Sequence, residues 1–450
     1  MIQTANPASL ALPSISIDAN RPHADVPSEV EIDRPVPIVR WMFYAFIFSV
    51  PLLHTIDVGE DTRLPKIVGY LFVLAALLQP QICFRRFHVA LWCFAGYIGV
   101  YALLGAFQPA VFQDEVLERL FSLIQLLVMA WIAYNLMGYA GVARGALVAL
   151  VASGVMIAIL QVTGLAATDY GVGKQGTSLR VSALGQNANL MAATLSLALI
   201  ALLSLASSSS RFSLPMRYLI WSLLALLGLS IVLTGSRGGL VALLGGLLIF
   251  MLFGTTLQTR IRNCLIGSFV IAIAVLVCLQ IEAARIRWEE TFTSGETAHR
   301  NQLFSAAWEM FEESPIIGWG PVQNMYELGW RVHYAGWVVE DQPWRDTHNL
   351  VLWILTQVGL LGAIPFFAGI WFCLGAAWRA REGDQGIFPL AMLVTLLIAN
   401  QSGNWIHSKL QWLILAYILA SGTSLVIKAA QARVAVAPAP VVIPSPASCS

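Results

Sequence analysis

The chain has 450 residues, 58% of them hydrophobic and 11% charged, with a formal net charge of +1. Soluble domains carry about 25% charged residues, so this composition is that of an integral membrane protein and excludes a soluble enzyme. The balance of 26 basic against 25 acidic side chains leaves no electrostatic footprint for nucleic acid.

Residues 1–37 are polar and proline-rich, with mixed charge and no short apolar core of a cleavable leader, so they are expected to be a disordered cytoplasmic tail. A bilayer crossing needs roughly 20 mostly apolar residues. Such runs fall at about 38–56, 65–82, 88–107, 116–137, 144–165, 187–207, 216–234, 238–257, 263–281, 360–378, 387–404 and 408–427. Numbering the connections alternately from the inside gives every short inner loop at least one arginine, including Arg40, Arg85, Arg86, Arg144, Arg217, Arg260, Arg262, Arg379 and Arg381. The short loops on the other side are poorer in basic residues, and 108–115 has none. The positive-inside rule then puts both termini in the cytoplasm. The expected fold is an all-α polytopic membrane protein of about twelve transmembrane helices.

One connection is much larger than the rest. Residues 282–347 fall on the outer face and are rich in acids and tryptophans, among them Glu309, Glu312, Glu313, Trp308, Trp319 and Trp330. Within it, 298–313 has helical spacing with Leu303, Phe304, Ala307, Trp308 and Phe311 on one stripe. Ser314-Pro315 ends that helix, and Gly318-Trp-Gly320-Pro321 reads as a turn. The expected organisation is a tail to 37, nine helices over 38–281, a partly helical cap over 282–347, a helix start and three helices over 348–428, and a disordered cytoplasmic tail over 429–450. The six cysteines show no paired or metal-ligand spacing and read as small hydrophobes.

The cap ends in Asp346-Thr-His348-Asn349, where a polar loop re-enters an apolar helix. An ionisable side chain at such a boundary is a functional-site candidate. Three arginines fall on the same side. Arg180 lies in Gly176-Thr-Ser-Leu-Arg180, ahead of Asn187-Ala-Asn189; Arg237 lies in Thr234-Gly-Ser-Arg237-Gly-Gly239; Arg300 opens the cap helix. Arginines at span ends also anchor to lipid headgroups, and a loop histidine is often a cap. The common sidedness favours an anionic, lipid-linked substrate, because guanidinium grips phosphate oxygens bidentately. His348 at a helix head feels the positive end of the dipole, which disfavours imidazolium and suits a general base. No close His/Asp/Glu cluster has clear metal spacing, although His333, Asp341 and Asp346 could converge, so no metal or other cofactor is expected.

From about Arg180 to Leu361 the chain resembles the O-antigen ligase and polymerase superfamily of bacterial envelope glycosyltransferases. The resemblance rests on four pieces in order: the Arg180 segment with Asn187 and Asn189; Thr234-Gly-Ser-Arg237-Gly-Gly; Arg300-x-x-Leu303 leading to Pro315-Ile-Ile-Gly318-x-Gly320; and His348-Asn349 leading to Gly-Leu-Leu-Gly362. It implies a bacterial inner-membrane enzyme whose cap and active site face the periplasm. It implies metal-independent, inverting transfer of a glycan from undecaprenyl pyrophosphate to the lipid A–core. By the same resemblance His348 is the base, Arg180, Arg237 and Arg300 hold the pyrophosphate, and Asn187, Asn189, Asn349, Gly318 and Gly320 support them. Ligation is expected over the superfamily's two other activities, repeat-unit polymerisation and glycan transfer to protein. A polysaccharide or lipid transporter is disfavoured, since no internal repeat or mid-span charge is evident.

Overall fold

The computed structural model describes residues 34–52, 64–172, 178–207, 213–253, 256–294, 300–334, 344–383 and 385–436. The expected tails and His54, His299, Trp337, Glu340 and Asp341 lie wholly or largely outside these residues.

Each apolar run coincides with a helix, as it must where lipid cannot satisfy the backbone. In chain order these are α1 (Pro37–Ser49), α2 (Leu64–Ala76), α3 (Pro80–Cys83), α4 (Val89–Ala106), α5 (Gln113–Met137), α6 (Ala140–Val162), α7 (Ala188–Ser207), α8 (Leu214–Leu233), α9 (Arg237–Leu252) and α10 (Leu257–Gln280). The cap contributes α11 (Glu282–Ser294), α12 (Arg300–Glu313) and α13 (Gln323–Tyr334), and the chain closes with α14 (Leu350–Ala380), α15 (Phe388–Ala399) and α16 (Lys409–Val436). Among the described residues, seven helices are long and apolar enough to cross a membrane, and four apolar helical segments are shorter. The protein is therefore a polytopic helical membrane protein.

One small sheet interrupts the helical pattern. Strands β1 (Ala167–Val172) and β2 (Ser178–Ala183) form an antiparallel hairpin between α6 and α7, with Tyr170 opposite Arg180. The sequence gives little warning of it, because the stretch is short, polar and glycine-rich.

Hydrogen bonds between connections sort them to two ends. At one end the Gln186 side chain donates to the Pro51 carbonyl, Gln108 to the Trp319 carbonyl at 3.2 Å, and Arg180 to the Thr234 carbonyl at 2.8 Å. At the other, Asn135 donates to the Arg86 carbonyl at 2.9 Å and Gln79 accepts from the Val36 backbone at 2.7 Å. Arg86 and Arg379, two of the inner-loop arginines of the sequence reading, sit at this second end, Arg379 close enough to His88 to bear on its charge.

The cap is folded and docked. Its own core joins Leu303, Ala306, Ala307 and Met310 of α12 to Leu328 and Val332 of α13, with Leu352 of α14 against them. The buried face of α12 is 303/306/307/310: Leu303 and Ala307 of the expected stripe lie on it and Phe304 packs at its edge, whereas Trp308 does not. The alanines permit close approach, whereas Trp308 is 49% exposed and packs on Phe311 at 5.4 Å between ring centroids. Arg331 locks the pair of helices, bonding Glu313 at 2.9 and 2.6 Å and Glu327 at 2.7 Å while lying 5.1 Å over the Trp319 ring.

Candidate functional site

The segment that begins at His348 and the span expected at 360–378 are one helical run, broken at Gly359, whose φ of 56° and ψ of −161° are non-helical. A break strands backbone groups that must find partners elsewhere. Here the Pro315–Gly320 turn supplies them. Trp319 N–H donates to Thr356 O at 2.7 Å and Gly320 N–H to Gln357 O at 3.0 Å, while Leu360 and Leu361 N–H donate to Pro315 O (2.8 Å) and Ile316 O (3.0 Å). The contact admits no side chain at either glycine. A Cβ on Gly318 would lie 2.7 Å from Thr356 O, and one on Gly359 would collide with the Ile316 carbonyl. Gly320, also at positive φ, leaves room for the Gln108 amide. Gly318 and Gly320 therefore clamp the cap to α14, the helix that presents His348.

At the head of α14, Asn349 is the N-cap, its Oδ1 accepting from Val351 N (2.9 Å) and Leu352 N (3.1 Å). Its amide donates to Gln401 Oε1 at 2.9 Å, and Leu350 N–H donates to Asn400 O at 2.9 Å. The α14 head is thereby bound to residues 400–404, the turn that follows α15. Before it, Arg345 N–H donates to Met325 O at 3.0 Å, and Asp346 Oδ1 accepts from His348 N–H at 2.6 Å. His348 has a left-handed φ of 51° and an exposed edge.

The arginine segments converge on the same turn. Arg180, on β2, donates from Nε to Thr234 O and from Nη2 to Asn189 Oδ1 at 3.2 Å. Asn189 Oδ1 also accepts from Ser236 Oγ at 2.8 Å. Asn187 starts α7, its Oδ1 accepting from Asn189 N–H at 2.8 Å. Ser236 is the N-cap of α9, accepting from Gly239 N–H at 3.1 Å, so Arg237 opens that helix. Gly235 takes a φ of 58° to make the turn, and Gly238 and Gly239 are bare because Ser402 and Ala192 lie directly against them. Arg300 Nη2 donates to the Ser402 carbonyl at 3.2 Å. A continuous run of contacts thus passes from Arg180 through the Thr234–Gly239 turn to Ser402, Arg300, Gln401, Asn349 and His348.

Electrostatics follow from that packing. Burial holds Arg300 below the usual guanidinium basicity, and neighbouring Arg237 adds to it. Two like charges held together in a poorly solvated recess are relieved by an anion. His348 is likewise lowered, first by desolvation, then by Arg300 and Arg345, against an opposing pull from Asp346. Desolvation of the ring and the two arginines both favour the neutral imidazole. Among the described residues no trio of His, Cys, Asp or Glu could hold a metal ion.

Residues 222–367 match the family model Wzy_C, described as O-antigen ligase. This stretch belongs to the O-antigen ligase superfamily. The O-antigen ligase domain contains Arg237, Arg300, the Gly318–Gly320 clamp and His348; Arg180, Asn187 and Asn189 precede it. Proteins with this domain are membrane glycosyltransferase-like enzymes of the ligase and polymerase type, whose partners are in general a lipid-linked glycan and the lipid A–core. No curated protein matches the chain.

Sequence reasoning overlooked two parts of this site. The Asn400–Asn404 turn carries no charge or periodicity, so only its contacts reveal it. Asp346 was weighed only as a distant metal ligand.

Proposed function

We propose that the chain is an O-antigen ligase of the bacterial inner membrane, with twelve transmembrane helices, both termini cytoplasmic and the cap and site in the periplasm. The donor is a glycan on undecaprenyl pyrophosphate, and the acceptor is a hydroxyl of the lipid A–core. His348 takes the proton from that hydroxyl as its oxygen attacks the anomeric carbon. The bond from that carbon to the pyrophosphate breaks, and the departing oxygen carries the negative charge. Arg180, Arg237 and Arg300 stabilise that charge and hold the donor in line. Direct displacement inverts the anomeric centre without a covalent enzyme intermediate.

The observation that carries this reading is the closeness of two half-buried arginines, Arg237 and Arg300, near a histidine whose basicity is lowered, with Arg300 bonded to the 400–404 turn. In this reading the anion site and the base stand side by side, as the reaction requires.

Deleting the protein in its host and resolving the lipopolysaccharide on a gel, beside an assay of lipid-linked glycan, tests the assignment. The proposal expects long lipid-linked chains to accumulate beside bare core. Core capped by a single repeat would instead indicate the polymerase, and an unchanged gel would point to transfer onto protein or to transport.

A further inference from the structure

A left-handed backbone at a non-glycine residue persists only where its surroundings enforce it. Both flanks of His348 are fixed independently of it: Arg345 is tied to Met325 of α13, and Asn349 to Gln401 and the first turn of α14. Between those tethers, the His348 N–H is taken by Asp346 Oδ1 at 2.6 Å. Asp346 is held in turn by a side-chain hydrogen bond with Asn404, across the 400–404 turn. The residue is half-buried, so solvent screens its charge only in part.

The groups facing this pair are named by the elements packed around it. Arg300 comes from α12 and Arg345 from the loop itself, and both bear on the imidazole. Arg119 of α5 bears on Asp346. From the turn before α16 comes neutral Asn404.

We propose that Asp346 is a positioning residue for His348, holding its main chain in the left-handed turn and setting an anion against the two arginines beside the imidazole. The inference rests on the reading of His348 as the base. A base must be neutral, and a nearby carboxylate favours imidazolium. Removing the charge therefore moves the acid limb of the activity profile to lower pH.

The test is the pH profile of glycan transfer by the reconstituted protein, comparing wild type with Asp346→Asn, Asp346→Ala and His348→Ala. Asparagine keeps an acceptor oxygen and loses the charge, so its acid limb should fall by roughly half a pH unit or more. Its plateau rate should stay within about tenfold of wild type, whereas Asp346→Ala, which also frees the turn, should lose about a hundredfold. An acid limb that stays in place or rises in Asp346→Asn, or a wild-type rate in Asp346→Ala, overturns the proposal. If Asp346→Asn does not insert, Asp346→Glu replaces it: the charge stays, so the acid limb should hold while the rate drops, and a moved limb overturns the proposal. Wild-type transfer by His348→Ala would remove the base reading and this inference with it. An inactive His348→Ala beside wild-type behaviour in the Asp346 variants would overturn the inference alone.

Discussion

Burial pushes the imidazole of His407 down to about 3, with Arg119 adding to the effect, and its Nε2 has no partner among the described residues. A histidine whose folded value lies below its unfolded one costs nothing while both states are neutral. As pH falls below about 6.5 the unfolded chain takes up the proton and the folded one does not, so stability drops continuously towards pH 3. The loss is on the order of 5 kcal/mol over that window. Melting of the detergent-solubilised protein should therefore fall steeply between pH 7 and 5, and His407→Phe should flatten that fall, His348 supplying a smaller part of the same sign. A slope as steep in the variant as in wild type would contradict the account. At this scale the sequence was informative where a residue is charged and at a boundary, as for Arg180, Arg237, Arg300 and His348. It was silent on His407, which looks like any loop histidine until its surroundings are known.

The clamp between the cap and α14 is an element-scale device made of backbone. In the sequence, Pro315-Ile-Ile-Gly318-Trp-Gly320 reads as a turn and Gly359 as one of many small residues in an apolar helix. Neither suggests that four main-chain hydrogen bonds join them, because pairing between segments forty residues apart leaves no periodic trace. The buried stripe of α12 departs from its sequence pattern only in part and for a related reason: Leu303 and Ala307 face the core as expected, Ala306 joins them where α14 approaches closely, and the larger Trp308 is left outside. Gly359→Ala should be severely disruptive, since the φ of 56° strains any side chain and the Cβ meets the Ile316 carbonyl. A cost of about 3 kcal/mol or more is expected from strain and lost pairing together. Limited proteolysis should cut the cap of this variant faster than that of wild type, with transfer reduced. Wild-type resistance and activity would show that the cap does not depend on the clamp.

For the whole molecule, the arginine count of the loops and the contacts between them tell one story. Loops assigned to one side from charge alone meet one another in the fold: the Arg180, Arg237, Arg300 and His348 segments at one end, and those of Arg86 and Arg379 at the other. The twelve-helix topology belongs to the proposal; the described residues hold seven helices long enough to cross a membrane and four shorter apolar ones. A fluorescent protein fused after the last helix should fold and fluoresce in the cytoplasm, and alkaline phosphatase fused within the cap should be active in the periplasm. The reverse pattern would invert the topology and remove the cap from the lipid-linked donor.

The fold brings the His348 segment and the arginine segments to one turn, where we propose a base and an anion site. The most direct measurement is transfer of a lipid-linked glycan to lipid A–core by purified, reconstituted wild type and His348→Ala. The account predicts that His348→Ala inserts normally and retains a full cap by proteolysis, yet loses transfer by about a hundredfold or more. Transfer by His348→Ala at the wild-type rate would contradict it.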